Sequence, residues 1–311
     1  MTKDRGATAP RTLRTLRTAT LLAACLPLLA GCGGPGAADA GDRPTVDTDT
    51  GLHERLPAEV RAAGVLVVGT DATYAPATFF GPDGRTVVGF EADLGAALGQ
   101  VLGVRVEFSV VEFDGLLGAL GAGDVDLVLS AMTDTAERQQ QADFVNYFRA
   151  GTSVVVQRGN PSGVSELRDL CGETVAVERG TVQVDLLERI QRHCPTGRPV
   201  LVEEQPSNAD ALVELRTGRV AAVLADYPPA AYLTTDARTQ ADYQLATDTQ
   251  YEPGLYGIAV APERTQLREA VQAGLERLLA DGVYAEVLQE WGVAEGALRT
   301  VSVNAGAPAR D

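Results

Sequence analysis

The stretch at 127–138, LVLSAMTDTAER, changes chemistry within a few residues: an apolar run gives way to the hydroxyls of Ser130 and Thr133, then to the guanidinium of Arg138. At the carboxyl end of a strand in an open α/β sheet, side chains enter a crevice, and hydroxyls beside an arginine suit a carboxylate there. The same residues also fit a plain helix start, with Asp134 as the cap, Glu137 at the third helical position and Arg138 on a solvated face. Nucleophilic catalysis has little to work with: the chain holds two histidines, His53 and His193, and neither stands in a Ser-His-Asp or Cys-His arrangement. Both read as surface residues. A single His193-Cys194 neighbour pair is too few ligands for zinc, so no metal and no cofactor are expected.

The first 31 residues are expected to leave the mature chain. Lys3, Arg5, Arg11, Arg14 and Arg17 precede an apolar run at 19–30, and Leu29-Ala30-Gly31-Cys32 closes it, the order of a secretory signal ending in a lipobox. Cys32 then becomes the first mature residue, carrying lipid that anchors an extracytoplasmic protein to the outer face of the cytoplasmic membrane. No later stretch approaches the about 18 apolar residues that a spanning helix needs. Cys25 departs with the signal, which leaves Cys171 and Cys194 as an even pair in an exported chain, where a disulfide is expected. The signal also removes five basic residues and one acidic residue from a chain of formal charge −16, leaving −20. Such a balance argues against nucleic acid and anionic membrane surfaces as partners.

The elements that must position these residues follow a regular alternation. Residues 32–52 lack apolar periodicity and read as a flexible tether, with the folded part starting at His53. Strands are predicted over 65–69, 104–111 and 125–129, separated by a helix carrying Phe90, Leu94, Ala97, Leu98, Val101 and Leu102 and a shorter one carrying Leu116, Leu117 and Leu120. After Asn160-Pro161-Ser162-Gly163 the series restarts, with strands over 174–177, 200–203 and 220–224 and helices over 182–192 and 209–215. Leu120, Gly123, Val125, Val128 and Leu129 match Leu215, Gly218, Val220, Val223 and Leu224 at a constant offset of 95. Two similar α/β lobes are implied. A strand over 256–260 follows, then a helix carrying Leu267, Val271, Leu275 and Leu278, with Tyr284 and Trp291 read as core packing.

The motifs GTDATYAP at 69–76, GFEADL at 89–94, FDGLLGAL at 113–120, TDTAER at 133–138, Asp143-Phe144, RGT at 179–181 and GRVAAVLAD at 218–226 occur in order. Together they resemble the polar amino acid substrate-binding proteins of ATP-binding-cassette importers, solute-binding protein family 3, in a lipoprotein form. The resemblance implies an α/β fold of two similar lobes joined by a two-strand hinge, periplasmic-binding-protein-like, each lobe a mixed sheet flanked by helices. The first lobe would be 53–150 plus 253–300, the second 154–249, and 301–311 a C-terminal tail. It further implies a lipid-anchored receptor that takes a polar amino acid or similar zwitterion between the lobes and delivers it to an importer permease. Arg138, with Ser130 and Thr133, would hold the α-carboxylate, Asp226 the α-ammonium, and Thr181 and Gln183 would add second-lobe contacts. A zwitterion needs one cation and one anion, and setting them on opposite lobes ties closure to the ligand. Tyr74 and Phe113 match the aromatics that sandwich the ligand side chain, although Phe113 also suits a helix start. Asp71 matches a residue that senses the far end of the ligand, or else caps its strand.

Departures from the pattern bear on the ligand. Thr181-Val182-Gln183 lacks a hydroxyl that many relatives have, and Ala131 stands where serine or glycine is frequent. Glu178 is an unusual second carboxylate near Asp71 that suits a cationic or amide-bearing ligand, unless it pairs with Arg179 or turns to solvent. Glu91 and Asp93 read as acidic residues favourably placed at a helix start. Two other classes stay open: an exported dehydratase-like enzyme using Glu178 as a buried general acid, and a ligand-sensing module for a membrane partner, which normally carries a transmembrane or signalling segment in the same chain.

Overall fold

The computed structural model describes residues 45–306, so the signal and Cys32 lie outside the described residues. Helices α1 (Thr50–Arg55) and α2 (Ala58–Ala63) lead into β1 (Val65–Thr70). The folded body begins before His53, which corrects the expected extent of the tether. Asp49 caps α1 by accepting from the Gly51 and Leu52 N–H groups, and Val46 donates to the Gln100 side chain at 2.8 Å. The cap and the apolar Val46 tie this segment down as a tether could not be. His53 is half-buried, its Nδ1 2.9 Å from the Leu102 carbonyl, and is not the surface residue expected.

Three short strands, β2 (Thr73–Tyr74), β3 (Thr78–Phe80) and β4 (Val87–Val88), form a small sheet ahead of α3 (Phe90–Leu102), β5 (Arg105–Val110), α4 (Leu116–Ala122) and β6 (Leu127–Val128). The long strand β7 (Asp143–Gln157) precedes β8 (Thr174–Glu178), α5 (Val182–Gln191), β9 (Leu201–Gln205), α6 (Asn208–Arg216), β10 (Ala222–Asp226) and α7 (Tyr227–Thr235). After β11 (Tyr243–Leu245), strand β12 (Tyr251–Val260) returns, followed by α8 (Thr265–Ala280), α9 (Val283–Glu290) and β13 (Ala297–Val303).

Among the described residues the main sheet runs β5-β1-β6-β12-β7-β10-β8-β9, with β11 and β13 also on β7. Each end is a parallel trio, β5-β1-β6 and β9-β8-β10, and each trio is closed by an antiparallel strand, β12 or β7. The two closing strands pair with one another from Tyr251↔Thr152 to Val260↔Asp143, so both link one lobe to the other. The repeat at offset 95 is structural. Gly123 and Gly218 each turn the chain out of a helix at φ near +78° and +74°, a conformation that glycine adopts without a Cβ penalty. Val128 and Val223, at matching places on β6 and β10, are both fully buried.

Each lobe has its own core. In the first, Leu94 and Leu98 of α3 meet Val271 and Leu275 of α8; in the second, Val175 and Val177 of β8 meet Leu186 and Leu187 of α5. Fully burying each such side chain contributes about 1.5–3 kcal/mol. Tyr284 belongs to the first core, and its hydroxyl donates to the Tyr147 carbonyl at 2.6 Å. Trp291 is only partly buried and donates from its indole nitrogen to Asp93 at 2.8 Å, so Asp93 is an indole acceptor rather than a simple helix-dipole charge. The expected tail is also corrected: 301–303 continue β13, which pairs with β7 through Val303↔Val145.

Cys171 and Cys194 are disulfide-bonded with Cα atoms 5.5 Å apart, joining the end of a short turn to the segment after α5 across 23 residues. Closing a loop of this length stabilises by about 3 kcal/mol. Replacing both by serine is expected to lower the melting temperature by about 6–12 °C, measured by calorimetry, with ligand affinity unchanged because neither residue lines the cleft.

Candidate functional site

Four parallel strands deliver the site. The chain leaves β1 at Asp71, β6 at Ser130, β8 at Glu178 and β10 at Asp226, and all four residues are buried at strand carboxyl ends. They line one cleft between the lobes together with Tyr74, Phe113, Ala131, Thr133, Arg138, Thr181, Val182 and Gln183. Each ligand-site residue expected from the sequence thus lies on this one surface. In the closed arrangement the cleft leaves about 10 Å³ in which the centre of a water molecule fits, so an amino acid enters only when the lobes part.

Arg138 reaches both lobes. Its Nη1 donates to the Thr133 carbonyl at 2.7 Å and its Nη2 to the Gly180 carbonyl at 2.8 Å in the second lobe. The guanidinium carbon lies 5.3 Å from the centre of the Phe113 ring, close enough for a cation–π contact. Phe113 opens a short 3-10 helix and packs in a core cluster as well as walling the cleft, so both readings of this residue hold. The plain helix start does not form. Asp134 caps nothing, accepting instead from Gln139 and Asn146, and the helical turn at Arg138–Gln140 is three residues long.

Asp226 is held by its own lobe and by the other one. Gln183 Nε2 donates to it at 2.8 Å, and the Tyr74 hydroxyl accepts from the Asp226 N–H at 2.8 Å while donating to its carboxylate at 3.2 Å. Tyr74 is therefore a cross-lobe clamp as well as a wall. Thr181 donates its hydroxyl to the Glu178 carbonyl at 2.7 Å. One Asp71 oxygen accepts from the Thr73 N–H and hydroxyl at 2.8 and 2.6 Å, so Asp71 caps its strand end while lining the cleft. Glu178 neither turns to solvent nor pairs with Arg179, which meets Asp114 at 3.4 Å. It is 5% exposed, and its Oε1 has no hydrogen-bond partner.

The electrostatics follow from burial. Desolvation pushes the Asp226 carboxyl up to about 6, against the pull of Tyr256, Tyr74, Gln183 and Arg138. Burial, reinforced by Asp71, drives Glu178 well above the carboxylate range, and Asp71 is raised chiefly by burial too. Desolvation lowers the Arg138 guanidinium to about 10, which leaves it charged at neutral pH. Three acidic side chains thus share the cleft with one guanidinium, and burial together with their mutual repulsion disfavours their ionisation.

Glu91 does more than complement a helix dipole. Glu91 is fully buried and accepts from the Ala131 N–H at 2.8 Å and from the Tyr147 hydroxyl. It holds Ala131 in a left-handed conformation, φ 47°, between the site hydroxyls. Gly89 makes this possible, because at φ +128° a Cβ would lie 2.0 Å from the Ala77 carbonyl oxygen. The signal was present: Glu91 sits on the same helical stripe as Leu94 and Leu98.

Two hinged α/β lobes that enclose paired charges at their strand ends define a solute-binding protein of the closing type. The comparisons agree: residues 66–294 match the bacterial extracellular solute-binding proteins, family 3, and the chain belongs to that family. An arginine-binding protein of Corynebacterium glutamicum is 27% identical over 256 residues, covering 81% of this chain and 82% of the relative. Among solved structures, an ancestral arginine-binding protein bound to arginine is 35% identical with a TM-score of 0.68, covering 73% of this chain and 98% of that one. An ancestral amino acid-binding protein described as a precursor of cyclohexadienyl dehydratase is 30% identical with a TM-score of 0.65, covering 75% and 97%.

Proposed function

We propose that this protein is an extracytoplasmic receptor for a cationic α-amino acid of the arginine type, which it delivers to an ATP-binding-cassette importer. Arg138 takes the α-carboxylate, with Ser130 and Thr133 beside it, and Asp226 takes the α-ammonium. The observation that carries the cationic choice is Glu178, a buried carboxylate with an unpartnered oxygen in the same cleft as Asp71. A guanidinium offers five donors in a planar fork and can satisfy both acids at once. Arginine binding by the similar proteins supports the reading.

Calorimetric titration with L-arginine at two pH values tests it. Asp226 must ionise to meet the ammonium, and its pKa in the ligand-free protein is about 6, so affinity should fall about tenfold per unit as pH drops below that value. Stability of the ligand-free protein runs the other way. The raised Asp226 carboxyl favours the folded state when protonated, a contribution present below its unfolded value and lost as pH rises through about 6. Equal affinity at pH 5 and pH 7.5 would overturn the site assignment. Glu178, raised by burial, also has the character of a general acid, and the similarity to a dehydratase precursor gives that reading a foothold. A receptor returns its ligand unchanged, and mass spectrometry of the released ligand separates the two.

Cys32 is the proposed lipid attachment point. Cys32→Ala is expected to abolish globomycin-sensitive processing and membrane association, read by fractionation and blotting. Release of the unaltered wild-type chain into the medium would count against the anchor.

A further inference from the structure

The C-terminal segment 302–306 lies beyond the residues matched to the family, 66–294, yet it is bonded to the loop that carries Arg138. Asp134, 1% exposed, sits at the root of that loop. Its carboxylate accepts from three separate segments: Gln139 Nε2 at 2.7 Å, Asn146 Nδ2 of β7 at 2.9 Å and the Gly306 N–H at 2.8 Å. Asn146 is fully buried and in turn accepts from the Ser302 hydroxyl at 3.0 Å and the Ala305 N–H at 3.2 Å. Asn304 completes the attachment, accepting from the Phe144 N–H at 2.7 Å and donating to Asp143 at 2.7 Å. The packing is close: a Cβ on Gly306 would lie 2.0 Å from the Asp134 carbonyl oxygen.

The loop's other hydrogen bonds are mostly its own, apart from the Asp134 N–H on the Leu255 carbonyl and the Arg138 side chain on the Gly180 carbonyl of the second lobe. The Asp134 N–H donates to that β12 carbonyl at 2.7 Å, after which the chain leaves the sheet, and the helical turn before β7 is the three residues Arg138–Gln140, opened by the Thr135 hydroxyl accepting from the Arg138 N–H at 3.2 Å. So short a turn is not stable alone. The Gln139 contact ties this turn to the Asp134 carboxylate, whose remaining partners are Asn146 and Gly306. We infer that residues 302–306 form a strap that positions Arg138 for the ligand carboxylate, acting through Asp134 and Asn146. This rests on the reading of Arg138 as the carboxylate-binding residue.

The test compares the full chain with chains ending after Val303 and after Ala305, the second losing only the Gly306 donor among these contacts. L-Arginine should bind about tenfold more weakly to the shorter chain and about threefold more weakly to the longer one, through faster dissociation. L-Argininamide, which lacks the α-carboxylate, should bind all three chains alike, whereas general destabilisation would weaken both ligands together. Amide hydrogen exchange without ligand should speed up at 134–142 and stay unchanged in the second lobe, a readout that decides the strap even if L-arginine is not the ligand. Unchanged arginine affinity in both chains, equal losses for arginine and argininamide, or unaltered exchange at 134–142 would overturn the inference. If the chain ending after Val303 does not fold, the chain ending after Ala305 decides. Failure of the underlying reading looks different, because Arg138→Ala would then keep full affinity whatever the C-terminus does.

Discussion

Replacing Arg138 with alanine is expected to weaken amino acid binding by roughly 30-fold to several-thousand-fold while leaving a cooperative ligand-free unfolding transition. Truncating one partner of a desolvated charge pair costs about 2–5 kcal/mol, at about 1.4 kcal/mol per decade of affinity. Two features favour the upper part of that range. The guanidinium is largely desolvated against the Phe113 ring, and it bridges the lobes through the Gly180 carbonyl at 2.8 Å. The substitution therefore removes both the proposed ligand contact and a contact between the lobes. Ligand at 100 times its dissociation constant should stabilise the wild type by about 2.7 kcal/mol, and the variant should lose most of that shift in a thermal melt. Asp226→Ala should behave similarly, because it removes the group expected to meet the ammonium. If Arg138→Ala binds the cognate amino acid as tightly as the wild type, the arginine is a closure contact only and the carboxylate is held elsewhere.

Glu178→Gln is expected to weaken L-arginine binding by about 10- to 150-fold, the loss of hydrogen bonding between charged groups worth about 1.5–3 kcal/mol. L-Glutamine affinity should change less than threefold, because the amide partner of a neutral ligand needs no counter-charge. The selectivity ratio, measured by competition, therefore reports on Glu178 more cleanly than either affinity alone. Ligand-free stability at neutral pH should rise in the same variant. Burial and the neighbouring Asp71 hold the Glu178 carboxyl well above its ordinary range, so the ionised form is unfavourable in the folded state and an amide relieves it. A variant that loses arginine and glutamine binding equally would show that Glu178 shapes the cleft without reading the ligand charge.

These expectations rest on residues that the sequence exposes unevenly. Asp71, Ser130, Glu178 and Asp226 could be located because each directly follows or ends an apolar strand run, and strand carboxyl ends of an open α/β sheet line its crevice. Their convergence from opposite lobes came only with the family resemblance, since no local pattern records how β7 and β12 pair. Strand β7 itself was missed: Asn146, Arg149, Thr152 and Ser153 interrupt its apolar character, although all but Arg149 are buried. A central strand buried on both faces loses the alternation that marks a half-exposed one. The resemblance assigns Tyr74 only a wall, yet its hydroxyl bonds Asp226 across 152 residues of sequence.

Periodicity and punctuation by themselves determined the α/β repeat, the offset of 95 between the lobes, and the even cysteine pair, because these depend on near neighbours and on the count of residues. Tertiary structure alone decided that Glu91 supports Ala131, that Glu178 is left without a partner for one oxygen, and that the C-terminal residues grip Asp134 rather than trailing as a tail. Each of these depends on which polar groups meet after burial. A carboxylate gives the same sequence signal whether it faces water, caps a helix or waits in a cleft, and only the packed fold assigns its partners.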